Sequence, residues 1–75
     1  MALVTTLVHE FKSTSHIHKP TDCNYYIIDN GKGEKLLQID TFGSSDREMP
    51  NKVSQSIQFS PSAIIQLKKI LEQEL

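Results

Sequence analysis

The sequence predicts an α+β fold: a four-stranded antiparallel sheet followed by one C-terminal helix, in the order β-β-β-β-α. Three observations predict it. NGKG at residues 30–33 sits between two runs of strand formers, and Asn and Gly tolerate the positive φ of a hairpin turn. KVSQSIQFSPSAIIQLKKIL, from Lys52 to Leu71, changes period halfway. Its apolar residues alternate through Phe59 and then recur at three- and four-residue steps. The opening LVTTLVHEF, Leu3 to Phe11, is rich in β-branched and apolar residues.

The elements follow in order. The first strand is expected over about 3–11, although Leu7 and Val8 break the alternation. KSTSHIHKPTDC, residues 12–23, is polar and carries a proline, so it is a loop. The second strand spans about 24–29, where YYII supplies four strand formers in a row. The third spans about 34–42. Leu37 and Ile39 share one side; Leu36, Gln38 and Asp40 share the other. GSSDREMPN, residues 43–51, is turn-rich and long for a hairpin loop.

The fourth strand spans about 52–59. Val53, Gln55, Ile57 and Phe59 belong to one face, and Ser54, Ser56 and Gln58 to the other. Ser60 is then a helix cap, because its hydroxyl can accept from a free N–H of the first turn. Pro61 occupies the first helical position, where no donor is lost. The helix is expected over about 61–74, with Ala63, Ile64, Leu67, Ile70 and Leu71 as its apolar stripe.

With 75 residues the chain has room for one domain, 1–75. A domain this small buries about 60% of its unfolded surface, so its own core is thin. Chains of this size often gain stability from a metal, disulfides or a second subunit. A single cysteine excludes an internal disulfide framework, and a free thiol is commonest in a reducing cytoplasm. MALVTTLVHEF has neither the basic start nor the apolar block of a secretory leader, and no segment has the length to cross a bilayer. A cytoplasmic location away from membranes is therefore expected.

Eight Lys plus Arg stand against nine Asp plus Glu, a net charge of −1. Any positive surface must come from arrangement rather than from total charge.

Most candidate chemistry in the chain is weak. His16, His18 and Cys23 lie close together, with His9 upstream, but their spacing matches no zinc pattern and no second cysteine pairs with Cys23. No metal or other cofactor is expected. A Cys–His nucleophile pair would need an orienting group and an oxyanion hole, and neither has a signature here, so an enzyme is not expected. GKG at 31–33 lacks the spacing and terminal Lys-Ser or Lys-Thr of a phosphate loop. Asp40, Asp46 and Glu48 are read as a solvated acidic edge.

One short helix covers only part of a four-stranded sheet, so the rest of the sheet is solvated or binds something. Tyr25, Tyr26 and Phe42 supply aromatic faces; Lys35, Arg47 and Lys52 supply positive charge; Gln38, Gln55 and Gln58 supply amides. Aromatics stack on bases and cations track phosphates, which is the equipment for unpaired nucleic acid. A competing reading places one tyrosine and Phe42 in the core and makes the lysines solubilising; the acidic total favours it. Strand alternation lets only one of Tyr25 and Tyr26 join such a face.

EMPNKVSQSIQFSPSAIIQLKKIL, Glu48 to Leu71, resembles the C-terminal half of the positive cofactor four type of single-stranded-DNA-binding domain. That family has a basic turn, a strand ending Gly-Ile-Ser-Leu, a polar cap, and a helix with Pro, Trp, Leu and Lys. Ser56, Ile57, Gln58, Phe59, Ser60, Pro61, Ile64, Leu67 and Lys68 stand at those places. YYIID and KLLQIDTF match its paired strands.

The resemblance implies a homodimer with the helices at its interface, here Ile64, Leu67, Ile70 and Leu71. It also implies binding of single-stranded DNA or RNA by a curved sheet, in transcription, replication or repair. Three places depart from the pattern. The basic pair before the Ile-Ser-Leu strand is Ser54–Gln55, the helix aromatic is Ile64, and the basic loop is DREMPNK, mixed in sign. The alternative, from a different class, is a homodimeric protein-interaction module that uses the sheet or its edge.

Overall fold

The computed structural model describes residues 1–42 and 53–75. The elements are β1 (Ala2–Val4), β2 (Cys23–Asp29), β3 (Lys35–Phe42), β4 (Val53–Phe59) and α1 (Pro61–Glu74). The four strands form one sheet in the order β1-β4-β3-β2. The β2–β3 and β3–β4 pairs are antiparallel, as expected. β1 instead runs parallel to β4, so the sheet is mixed rather than antiparallel.

The β2–β3 hairpin turns at the expected place. Gly31 and Gly33 have φ of 83° and 79°, the region that glycine enters without steric cost. The turn is held by side chains acting as backbone. Asp29 Oδ1 accepts from Gly31 N at 2.8 Å, and Asn30 Oδ1 accepts from Lys32 N at 2.8 Å. Asn30 N donates to Glu34 O at 3.0 Å and closes the ladder.

β1 is much shorter than the expected strand over 3–11, and the cause lies in β4. Val4 pairs with Phe59, the last residue of that strand. Ser60 N still donates to Val4 O at 3.0 Å, but Pro61 has no N–H and the chain coils into α1. Beyond Val4, β4 offers no further residue to pair with. The chain follows the helix instead, and helix side chains serve as its partners: Ser62 Oγ donates to Thr5 O at 3.3 Å. Gln66 Oε1 accepts from Leu7 N at 2.9 Å, and Gln66 Nε2 donates to Thr5 O at 3.3 Å.

α1 starts as the sequence predicts. Ser60 has extended backbone angles and its hydroxyl accepts from Ala63 N at 3.1 Å, with Pro61 leading the first turn. The helix packs against β3 and β4.

Register divides the sheet cleanly into two faces, because residues paired across strands share a side. One face carries two apolar rows. Ile27, Leu37, Phe59 and Val4 form one; Tyr25, Ile39, Ile57 and Ala2 form the other. The opposite face carries most of the polar side chains, with the apolar pair Ile28–Leu36 at its hairpin end. Tyr26, Gln38, Gln58 and Leu3 make one row, and Asn24, Asp40 and Ser56 the next.

Burial is shallow throughout. Among the described residues Ala63 is the only apolar residue that is buried, and no large side chain is fully enclosed. On the apolar face Val4, Phe59 and Leu37 are half-buried, whereas Ile27 is 60% and Tyr25 72% exposed. Cover therefore fades toward β2.

Candidate functional site

The polar face is assembled by strand alternation in three adjacent strands. Leu36, Gln38 and Asp40 alternate with Leu37, Ile39 and Thr41 along β3, so the amide and the carboxylate stand on one side. β4 contributes Ser56 and Gln58 to that side, and β2 contributes Asn24 and Tyr26.

A hydrogen-bonded chain links them. Gln58 Nε2 donates to Gln38 Oε1 at 2.9 Å, and Gln38 Nε2 donates to Asp40 Oδ1 at 3.0 Å. Each amide uses one donor and fixes its neighbour's orientation, the arrangement in which polar groups in a partly dry site reinforce one another. An open concavity of about 440 Å³ is lined by Met1, Ala2, Leu3, Gln38, Ser56 and Gln58. Tyr26 stands beside it, 44% exposed.

Asp40 departs from expectation. Read from sequence as part of a solvated acidic edge, it is only 7% exposed. Its place in the central strand β3, flanked by Asn24 and Ser56, takes it out of water. The signal was present in the alternation of Leu36, Gln38 and Asp40, but which side is open depends on neighbours distant in sequence. Ser56 was placed beside Gln58 by alternation along its strand, whereas Asn24 was not singled out and reaches the site through its register with Asp40.

The expected nucleic-acid residues do not converge on one surface. Tyr26, Gln38 and Gln58 form one row. Tyr25, Lys35 and Gln55 fall on the opposite side of the sheet, so they cannot act with that row. Phe42 follows Thr41 and returns to the polar side, half-buried at the end of β3. Thr21 donates its hydroxyl to the Phe42 carbonyl at 2.6 Å. Arg47 and Lys52 lie outside the described residues.

The pairing shifts at this end of the sheet. Thr41 faces Gln55 but Phe42 faces Val53, which leaves Ser54 as an extra residue. Val53 therefore pairs with Phe42 and leaves the face expected to hold it with Gln55, Ile57 and Phe59.

Of the helix positions expected at a dimer interface, Ile64, Leu67 and Ile70 are half-buried within the single chain. Leu71 is 51% exposed, and Ile65, elsewhere on the helix, is 58% exposed. Cys23 is exposed at the start of β2. His9 Nδ1 approaches Glu74 Oε1 at 3.5 Å on the surface, while His16 and His18 are exposed. Among the described residues no three His, Cys, Asp or Glu side chains gather to hold a metal ion. Among them, too, no helix is long and apolar enough to cross a membrane.

Comparison with known protein families, characterised proteins and solved structures returned no match to this chain.

Proposed function

We propose that the chain is a homodimeric module that binds single-stranded nucleic acid, DNA in the first instance, on its polar sheet face. The observation that carries this reading is the row Tyr26–Gln38–Gln58, an aromatic ring and two amides side by side across three strands. A ring of this kind stacks on any base, and amides exchange hydrogen bonds with base edges. Both contacts tolerate sequence variation. Lys35 belongs to the other face, so Arg47 and Lys52 are the remaining candidates for phosphate contacts. A role as an accessory factor in transcription, replication or repair follows from the resemblance to the positive cofactor four type of domain.

Shallow burial supports the dimer. A chain whose described residues enclose only Ala63 among the apolar ones gains more than most from a second subunit. Leu71 and the stripe of Ile64, Leu67 and Ile70 are the proposed contact.

The test is titration of a labelled strand of roughly thirty nucleotides, long enough for two subunits at 4–16 nucleotides each. Binding is expected at about 50 mM salt and should weaken as salt rises. Absence of binding at that salt overturns the proposal. It would favour a homodimeric protein-interaction module instead, a reading that the Asp40 carboxylate on the polar face supports, since it repels phosphate.

A further inference from the structure

β2 occupies one edge of the sheet, and its residues are unusually apolar for an exposed edge. Tyr25, Tyr26 and Ile27 are 72%, 44% and 60% exposed. Soluble proteins normally blunt such an edge with charges, proline or a bulge. CNYYIID has no proline and a single charge, Asp29, at its end; its pairing with β3 is unbroken from Cys23 to Asp29.

The ladder shows which backbone groups are free. Asn30 N bonds Glu34 O, so the inward-bonding positions of β2 are the even-numbered ones: Asn24, Tyr26 and Ile28. Cys23, Tyr25, Ile27 and Asp29 turn their N–H and C=O groups outward. No described residue makes a backbone bond to them.

We propose that this edge pairs with β2 of a second copy, antiparallel, about a twofold axis through Tyr26. The register follows from the ladder. With the axis at Tyr26, Tyr25 lies opposite Ile27 of the second copy and Cys23 opposite Asp29. Every outward-facing residue of the strand then meets an outward-facing one, and all their N–H and C=O groups are satisfied. Moving the axis to residue 25 or 27 leaves one outward residue unpaired at an end.

Side chains agree with that register. Tyr25 against Ile27 is an aromatic–β-branched pair, a favourable cross-strand combination, and it occurs twice by symmetry. Asp29 meets a neutral residue, so no like charges oppose. The two Tyr26 rings meet at the axis on the polar side, joining the two Tyr26–Gln38–Gln58 rows into one. This contact is separate from the helix stripe; a chain using both assembles beyond a dimer.

Cysteine pairing tests the register. In a Cys23→Ser background, Tyr26→Cys places two thiols at the axis, in a non-hydrogen-bonded pair with Cα atoms about 4.5 Å apart, where a disulfide closes. Mild oxidation should give a covalent dimer. Asn24→Cys in the same background faces Ile28 of the second copy and should give at least tenfold less. Equal yields from the two variants overturn the register.

Ile27→Pro tests the edge itself. The outward N–H of Ile27 has no bond within the chain, so proline there spares the intramolecular ladder and blocks the intermolecular one. Combined with Leu67→Asp, which disables the helix contact, it should turn a dimeric Leu67→Asp protein into a monomer by light scattering. A Leu67→Asp protein that is already monomeric at the same concentration overturns the proposal without touching the helix interface. A labelled strand bound equally by the monomer leaves the nucleic-acid reading standing alone.

Discussion

The main chain of Leu7 is held by the side chain of Gln66, fifty-nine positions away in sequence: Leu7 N donates to Gln66 Oε1 at 2.9 Å. The same amide donates to Thr5 O at 3.3 Å. A primary amide spans two peptide groups of an extended segment as a neighbouring strand does. Gln66 thus extends the sheet's bonding past the point where β4 ends.

Gln66→Ala should cost about 1 kcal/mol, the net worth of such bonds at a partly exposed site. Urea denaturation measures the loss. Hydrogen exchange at Leu7 should quicken while the amides of β3 keep their protection, because only the segment after β1 comes loose.

Gln38 organises the polar face. Gln38→Ala leaves the Asp40 carboxylate, 7% exposed, without its side-chain donor, and frees Gln58 as well. A buried acceptor stripped of its partner costs about 1–3 kcal/mol. Gln58→Ala removes one bond at the outer end of the chain and should cost less. A double-mutant cycle on the two should show coupling above about 0.5 kcal/mol; simple additivity would mean that the two amides act independently.

The tyrosines separate the two faces in a binding experiment. Tyr26→Ala should weaken single-strand binding by about 1–3 kcal/mol, the worth of one stacked base. Tyr25→Ala, on the opposite face, should leave affinity unchanged. The reverse result would assign the ligand to the apolar side.

Ser60→Ala should cost about 1 kcal/mol, since Ala63 N loses its cap acceptor, and Ser60→Gly only a few tenths. Thermal unfolding measures both.

Gly31→Ala isolates backbone strain. A methyl group added there meets nothing within 4 Å, so the φ of 83° alone sets the cost, about 1 kcal/mol. Gly31→Asn should recover part of it, because Asn enters that region more readily.

By itself the sequence determined what lies within a few residues of chain. The NGKG turn, the strands around it, the Ser60–Pro61 start and the extent of α1 all fell where periodicity and capping put them, because φ preference and side-chain alternation are local properties. The tertiary structure decided what depends on partners far along the chain. β1 runs parallel to β4, and it stops at Val4 because β4 turns into a helix at Pro61, fifty-seven positions later. Register with β3 put Tyr26 on the polar face beside Gln38 and Gln58, and Tyr25 on the apolar one with Ile39 and Ile57. Strand pairing is a contest among many distant edges, and alternation within a strand says which residues share a side without saying what that side meets.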